Sequence, residues 1–314
     1  MIAYSAPGKV ILSGEHSVVY TKPAFVTAIN LVLTFRVRKK TKSEEVIKSK
    51  EIIYCETVIK KYLQKNNISW NDTPYYFEID SQILEGRGMG SSAAFCVAVV
   101  AGLLHYFTGQ AFEKQIINSL AYQCEKYFHG MPSGVDVSAS CFGGLIFYRK
   151  EFEFLKNISA LNFKIPKKIQ DRLILIDTGK PIESTEDMLK IVGKRYNAYS
   201  KKMESTFAQI ERMTKRMVVS TVKEDVKMFS DAIAKNQRLL VDLGIVSKKT
   251  SQLLEKLKPY GVGKVTGAGG AKMGSGMVLF CMKDNTNIKQ LLLSEGFSLI
   301  PFQQDQNGLQ HIES

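Results

Sequence analysis

Residues 86–94 have the sequence Gly-Arg-Gly-Met-Gly-Ser-Ser-Ala-Ala, with three glycines and two serines in the first seven positions. Upstream, apolar and more polar residues alternate over Tyr75–Ile83, which is the period of a half-buried strand. Downstream, residues 93–104 are small and apolar, which predicts a buried helix capped by Ser91 and Ser92. Glycines let the backbone approach an anion closely, and the unpaired N–H groups at a helix start attract negative charge. The segment therefore predicts a phosphate-binding loop between a strand and a helix.

The spacing of this loop excludes two familiar phosphate-binding patterns. No Lys-Ser or Lys-Thr pair closes the motif as a P-loop requires, and serine or alanine replaces the last glycine of a dinucleotide fingerprint. A nucleotide bound here must therefore be held by another fold. A serine hydroxyl of this loop can also reach a bound metal ion. A tight turn followed by a capped helix, without any ligand, stays open as the alternative.

The composition is that of a globular chain without targeting segments. The 314 residues are 45% hydrophobic and 23% charged, which allows a large core and favours two domains. The longest apolar run, residues 93–104, is too short for a bilayer span, and Met1–Tyr4 lacks the basic start of a signal peptide. The five cysteines form no C-x-x-C pair, so we expect free thiols and a cytoplasmic protein with no membrane partner.

The net charge of +13 raises the question of a nucleic-acid partner. Much of this charge lies in residues 36–50, where seven lysines and arginines face two glutamates. Specific nucleic-acid binding requires interleaved aromatic residues or a recognisable module, and the sequence offers neither. We therefore expect no nucleic-acid partner, because a basic surface also attracts anionic substrates such as nucleotides.

The periodicity along the rest of the chain predicts strands and helices in both halves. Predicted strands lie at residues 9–13, 24–38, 144–148, 173–177, 277–283 and 298–303. Predicted helices lie within residues 44–66, at 112–128, over most of 187–257 and at 287–295, with a turn at 130–134. The pattern is least regular between residues 150 and 170, so we divide the chain into domains 1–160 and 161–314.

Three charged residues outside the loop stand in patterns with chemical consequences. Lys9 begins an apolar strand, where a buried lysine requires an anionic partner, although an exposed strand end is the common alternative. Glu125 and His129 share a helix face, but no third ligand is in place, which excludes zinc and leaves Glu125 as a magnesium ligand. Asp136 follows a tight turn and can orient a hydroxyl nucleophile, or else serve only as a turn or cap residue.

A second glycine-rich turn, Thr266–Gly270, follows a short strand-like segment at 263–265. Two glycine-rich turns in different halves of the chain predict a ligand at the junction between them. A hairpin that needs positive φ angles is the alternative interpretation.

Three segments, residues 5–16, 86–94 and 267–270, resemble in order the signature motifs of the galactokinase, homoserine kinase, mevalonate kinase and phosphomevalonate kinase superfamily. Residues 5–24 (SAPGKVILSGEHSVVYTKPA) and 129–144 (HGMPSGVDVSASCFGG) are most similar to its mevalonate kinase branch. The resemblance implies ATP-dependent phosphorylation of the 5-hydroxyl of mevalonate in isoprenoid biosynthesis. It also implies an α+β fold with a ribosomal protein S5 domain 2-like N-terminal domain, a ferredoxin-like C-terminal domain and an active site in the cleft between them.

The resemblance also implies roles for individual residues. Asp136 matches the catalytic aspartate, and Lys9 the lysine that pairs with it. Glu15 and His16 lie towards the substrate. The magnesium ligands are a serine of the loop, Ser92 or its neighbour, and Glu125. Nucleotide-binding positions are Gly86, Gly88, Met89, Gly90, Ser91, Ser92 and Ala93, and the C-terminal glycine loop contributes Gly267, Gly269 and Gly270.

The chain departs from the superfamily pattern at a few positions. Residues 83–85 are Ile-Leu-Glu where a proline is usual, and Glu85 brings a negative charge near the phosphates unless it points away or pairs with Arg87. Ala271–Met273 interrupts the third glycine motif, and Val137 replaces a polar residue. Two alternative functions stay open. The chain is another kinase of the superfamily, such as a phosphomevalonate or sugar kinase, or it is a non-catalytic RNA- or protein-binding relative. A homodimer also stays open as the oligomeric state.

Overall fold

The computed structural model describes residues 1–129, 132–152, 155–283 and 288–312, and it contains two antiparallel sheets with helices packed on them. The predicted α+β class is thereby confirmed. The strands are β1 (Ile2–Ser13), β2 (Ala24–Lys39), β3 (Tyr75–Ser81), β4 (Leu145–Lys150), β5 (Lys156–Leu161), β6 (Leu173–Asp177), β7 (Gly261–Val265), β8 (Met277–Met282), β9 (Ser298–Pro301) and β10 (Gln310–Ile312). The α-helices are α1 (Lys50–Lys65), α2 (Ser91–Thr108), α3 (Lys114–His129), α4 (Val135–Phe142), α5 (Lys167–Gln170), α6 (Thr185–Ala198), α7 (Ser200–Val222), α8 (Val226–Leu243), α9 (Lys248–Leu257) and α10 (Lys289–Ser294).

The first sheet has six strands in the order β10-β1-β2-β4-β5, with β3 also paired to β2. Strand β1 is buried from Ala3 to Ser13, because β2 and β10 flank it and helices α2, α4, α7 and α8 pack against it. Two of these helices, α7 and α8, come from the second half of the chain. The apolar core around β1 is therefore shared by both halves, with Met217 and Phe229 in the same buried cluster as Val10.

Helix α2 is the core helix of this sheet. The helix has 18 residues, which is longer than the predicted twelve-residue run, and its mean hydropathy is 1.6. By length and composition alone it is long and apolar enough to cross a membrane. The helix nevertheless lies inside the protein, with 67% of its residues buried. Gly102 allows its close approach to β2, since a Cβ there would lie 2.5 Å from a ring carbon of Phe35.

The start of α2 differs from the sequence prediction. Gly90, with φ 77°, is the N-cap and contributes no side-chain bond, whereas Ser91 and Ser92 are the first two helical residues. The predicted serine cap is therefore wrong. A glycine takes the cap position because the backbone there is left-handed, a conformation that serine rarely adopts.

The second sheet has four strands in the order β7-β8-β6-β9 and packs under helices α6–α9. The predicted strand at 173–177 is confirmed with the same bounds, and the predicted helical stretch 187–257 is four separate helices. Helix α4 was not predicted, and it places Asp136 in a first helical turn. Residues 130 and 131 of the predicted turn, and residue 287 of the predicted last helix, lie outside the described residues.

Candidate active site

The two glycine-rich turns meet backbone to backbone. Gly88 and Gly267 have φ angles of 79° and 87°, and a Cβ on Gly267 would lie only 2.9 Å from the Cα of Gly88. A Cβ on Gly88 would likewise lie 3.0 Å from the carbonyl oxygen of Thr266. Only glycine allows both this conformation and this separation. The prediction that two distant turns form one ligand site at a junction is therefore consistent with the geometry.

A cleft of about 710 Å³ runs along these turns, and a smaller cavity of about 110 Å³ adjoins it. Gly88, His129 and Asp136 line both spaces. The cleft is also lined by residues 86–92 of the loop and by residues 180–186 from the opposite side. Such an arrangement suits a nucleotide in the cleft and a small acceptor in the cavity, with Asp136 at the point where they meet.

Lys9 and Asp136 form an ion pair in which Lys9 Nζ lies 3.0 Å from Asp136 Oδ1. Lys9 is only 1% exposed, so the alternative of an exposed strand end is wrong. Strand β1 fixes the lysine, because its backbone N–H donates to the Met89 carbonyl at 2.9 Å. The lysine stem lies over Gly90, where a Cβ would be 2.9 Å from Lys9 Cγ. A carboxylate and a buried ammonium group thus stand together beside the phosphate loop.

Two oxygen-bearing side chains flank His129 on helices α2 and α3. The Ser92 hydroxyl lies 3.0 Å from His129 Nε2, and Glu125, one helical turn before His129, is 2% exposed. Hydroxyl and carboxylate oxygens are ligands that magnesium accepts, and this ion needs only one or two of them when phosphates and water complete its shell. Ser92 lines the cleft and Glu125 the smaller cavity, and each carries an oxygen of the kind that magnesium accepts. Burial lowers the pKa of His129, with the Asp136 charge acting in the opposite direction and Lys9 reinforcing the shift.

Glu15 and His16, which follow β1, both line the smaller cavity. The Glu15 carboxylate forms a fully buried ion pair with Lys264 of β7, whose Nζ also donates to the Ile11 carbonyl at 3.0 Å. His16 Nε2 lies 2.9 Å from the carbonyl oxygen of Ala268 in the second turn. Burial raises the pKa of Glu15 and lowers the pKa values of Lys264 and His16.

Arg87 has a partner that the sequence did not predict. Its Nε lies 2.8 and 3.0 Å from the two carboxylate oxygens of Asp177, at the end of β6. Glu85 is exposed and lines the cleft, and Arg87 pairs with Asp177 instead, so a Glu85–Arg87 pair is wrong. The glycine-rich loop itself is thereby attached to the second sheet.

The interrupted third motif is held by hydroxyl groups rather than by further glycines. Ser275 Oγ donates to the Gly270 carbonyl at 3.0 Å, and Thr178 Oγ1 donates to the Gly276 carbonyl at 2.7 Å. Lys272 and Met273 are exposed and lie on the outside of the turn, whereas Ala271 packs against the core of the second sheet. These hydroxyls account for the retained turn geometry.

Most of the predicted loop positions face the two spaces. Lining residues of the loops are Gly86, Gly88, Met89, Gly90, Ser91, Ser92, Gly267 and Gly269. Two predicted positions do not line either space among the described residues. Ala93 is buried in α2, and Gly270 lies against Pro181 and the Gly274 carbonyl. Sequence reasoning missed His129 as a shared lining residue and Lys264 as the partner of Glu15. Lys264 carried the same signal as Lys9, a lysine in an apolar strand beside a glycine turn.

Comparison with known proteins identifies the family of the chain. The family model for the N-terminal domain of GHMP kinases matches residues 51–144. The mevalonate kinase of Archaeoglobus fulgidus is 31% identical over 283 residues, covering 86% of this chain and 89% of the relative. A crystal structure of a mevalonate kinase superposes with a TM-score of 0.75 at 21% identity, covering 98% of this chain and 100% of that one. The phosphomevalonate kinase of Streptococcus pneumoniae gives 0.77 at 16% identity, covering 99% and 100%, so these two structures show the shared fold alone.

The two sheets, the joined glycine turns and the Lys9–Asp136 pair define a small-molecule kinase of the GHMP class. The Archaeoglobus fulgidus relative, which is 31% identical over most of both chains, identifies the branch of that class. The chain belongs to the mevalonate kinase family.

Proposed function

We propose that the chain transfers the γ-phosphoryl group of ATP to the 5-hydroxyl of mevalonate, giving 5-phosphomevalonate and ADP. The observation that carries this proposal is the Lys9–Asp136 ion pair at the junction of the cleft and the smaller cavity. A hydroxyl in the cavity and a triphosphate in the cleft approach each other at this pair. Family membership names mevalonate as the acceptor.

Asp136 orients the acceptor hydroxyl and accepts its proton as the oxygen bonds to the γ-phosphorus. The bond between that phosphorus and the β,γ-bridging oxygen breaks at the same time, and ADP leaves. Lys9 stabilises the negative charge on the reacting oxygen, since its ammonium group is already held in place by Asp136. The N–H groups at the start of α2 and the backbone of residues 86–90 hold the phosphates.

Magnesium is the cofactor in this proposal, with Ser92 and Glu125 as its protein ligands. When bound, the ion neutralises charge on the phosphate oxygens. Glu125 contributes a buried carboxylate and Ser92 a hydroxyl at the start of α2. His129 fixes the Ser92 hydroxyl through its 3.0 Å contact.

The finer features of the fold belong to the same proposal. The N-terminal domain, residues 1–160, is S5 domain 2-like, and residues 161–314 form a ferredoxin-like domain, to which the four-stranded sheet is well suited. The change of sheet between β5 and β6 supports the boundary, although β10 returns to the first sheet. The five described cysteines are buried and unbonded, which supports a reducing, cytoplasmic location.

The charges of the smaller cavity favour mevalonate over phosphomevalonate. Glu15, Glu125 and Asp136 line this cavity, and among its described lining residues Lys9 is the one lysine or arginine. Lys264 and Lys9 offset the charges of Glu15 and Asp136. A phosphorylated acceptor would therefore bring a further double negative charge next to Glu125 and next to a Lys9 that is already paired. Mevalonate brings only its single carboxylate and avoids this added repulsion.

The test is an ADP-release assay with mevalonate, phosphomevalonate, homoserine and galactose as separate acceptors. We expect the highest kcat/KM with mevalonate, and release at least about a hundredfold slower with the Asp136→Asn control. If another acceptor gave an equal or higher kcat/KM, the chain would be assigned instead to the branch of the class that phosphorylates that acceptor. Absence of ADP release with all four would favour the non-catalytic alternative.

A further inference from the structure

We propose that Lys264 is a positioning residue that holds Glu15 in the smaller cavity, which we call the acceptor cavity because mevalonate, the phosphoryl acceptor, binds there in the proposed function. One carboxylate oxygen of Glu15 is left to receive a hydrogen bond from mevalonate. This inference rests on the proposed function. Lys264 acts through Glu15, because Glu15 lines the cavity and Lys264 lies behind it in β7.

The two oxygens of Glu15 have different surroundings. Lys264 Nζ contacts Oε1, and both side chains are fully buried. Oε2 is equally buried, yet it has no hydrogen-bond partner among the described residues. A buried carboxylate oxygen without a donor is costly, so the site is completed when a ligand supplies one. A hydroxyl of the acceptor is a donor of the right chemistry.

Lys264 is part of a regular attachment between two chain segments. Lys264, Thr266 and Ala268 are alternate residues, and each contacts the segment from Ile11 to His16. Lys264 binds Glu15, the Thr266 hydroxyl accepts from the Ile11 N–H at 2.9 Å, and the Ala268 carbonyl lies 2.9 Å from His16 Nε2. The side chains of Lys264 and Thr266 reach the same side at the end of β7, whereas Ala268 contacts His16 through its backbone carbonyl after the turn at Gly267. The second sheet thereby fixes the residues that line the acceptor cavity.

A purely structural ion pair is the competing explanation, and it predicts a different result. Loss of a structural contact weakens folding and affects both substrates alike. Loss of a positioning contact weakens binding of the acceptor and leaves ATP binding nearly unchanged, because the loop at 86–92 is held by other contacts, such as Lys9 to Met89 and Arg87 to Asp177.

The experiment compares Lys264→Met with a matched control, Gln237→Met. Gln237 Oε1 accepts the Val265 N–H at 2.9 Å, so the control removes a buried contact to the neighbouring residue of β7 without touching Glu15. Mevalonate binding is measured by calorimetry without ATP, and the KM for ATP is measured at saturating mevalonate. For Lys264→Met we expect the mevalonate Kd to rise tenfold or more, as for a charged hydrogen bond, with the ATP KM within about twofold. The control should leave both within about twofold.

An unchanged mevalonate Kd in Lys264→Met, or an equal rise in the control, overturns the inference. If Lys264→Met does not fold, the double variant Glu15→Gln/Lys264→Met carries the test, because it leaves no uncompensated buried charge. The double variant should fold and still bind mevalonate tenfold or more weakly, and wild-type affinity in it would also overturn the inference. Failure of the proposed function is distinct, since the wild-type protein itself would then neither bind nor phosphorylate mevalonate.

Discussion

Replacement of Asp136 by asparagine tests the proton-accepting role directly. Asparagine keeps the shape of the side chain and an oxygen that can accept a hydrogen bond from Lys9, but it cannot take a proton. A positioned general base contributes about 10²–10⁴-fold to the rate, which corresponds to roughly 3–5 kcal/mol of transition-state stabilisation. We expect kcat to fall by that factor.

The structure also limits the side effects of this substitution. The Asp136 side chain is 30% exposed, but the buried Lys9 loses its anionic partner, so the substitution should cost roughly 3 kcal/mol of folding stability, the lower end for a broken buried pair, because asparagine still offers Lys9 an acceptor oxygen. Asp136 lies in α4, whereas the phosphate loop is held by β1 and β6. The Kd for ATP should therefore stay within about twofold of the wild-type value.

The assay is single-turnover phosphorylation of mevalonate, measured by rapid quench so that chemistry is separated from product release. Asp177→Asn is the matched control, because it also removes a carboxylate from a cation, Arg87, but at the phosphate loop. The control should raise the KM for ATP and keep most of kcat. Retention of more than about a tenth of the wild-type rate in Asp136→Asn would refute the general-base role.

Four further outcomes follow from the same geometry. Lys9→Met should lower kcat by about 10²-fold through lost stabilisation of the reacting oxygen, and a change confined to KM would contradict this. Ser92→Ala and Glu125→Gln should each raise the magnesium midpoint, which is the magnesium concentration that gives half-maximal rate at saturating ATP. The rise should be about tenfold or more for Glu125→Gln, because that variant loses a full charge. An unchanged magnesium midpoint in both variants would remove both residues from the metal site. Because Ser92 makes no capping bond, Ser92→Ala should also leave the melting temperature within a few degrees. His129→Phe should raise the same midpoint as Ser92→Ala does, and the double variant should be no worse than either single variant; additive effects would show that the two residues act independently.

Features that depend on local sequence were predictable. The glycines at 86, 88 and 90 and the apolar run after them specify a strand, a turn and a buried helix, and the structure has these elements in that order. Lys9 was recognisable locally only as a lysine in an apolar strand, which needs an anionic partner if it is buried. Its pairing with the distant Asp136 followed from the family resemblance and not from a local constraint.

Features that depend on distant partners were not predictable. Lys264 carried the same signal as Lys9, but its partner Glu15 lies 249 positions away, and only the pairing of the two sheets brings them together. The Arg87–Asp177 pair likewise joins two elements whose contact is set by tertiary packing. Strand β10 has three exposed residues and no apolar alternation, so only its pairing with β1 identifies it.

The most direct test of the central claim is the ³¹P NMR spectrum of the product that the wild-type protein forms from ATP and mevalonate. If the phosphoryl group is on the 5-hydroxyl, its phosphorus couples to the two protons of the adjacent methylene group, so a new triplet should appear as the ATP signals convert to those of ADP. The Asp136→Asn variant should give no such signal over the same time. A product signal without methylene coupling would place the phosphoryl group on another oxygen, and conversion of ATP without any new ester signal would mean hydrolysis rather than transfer; either result would contradict the account.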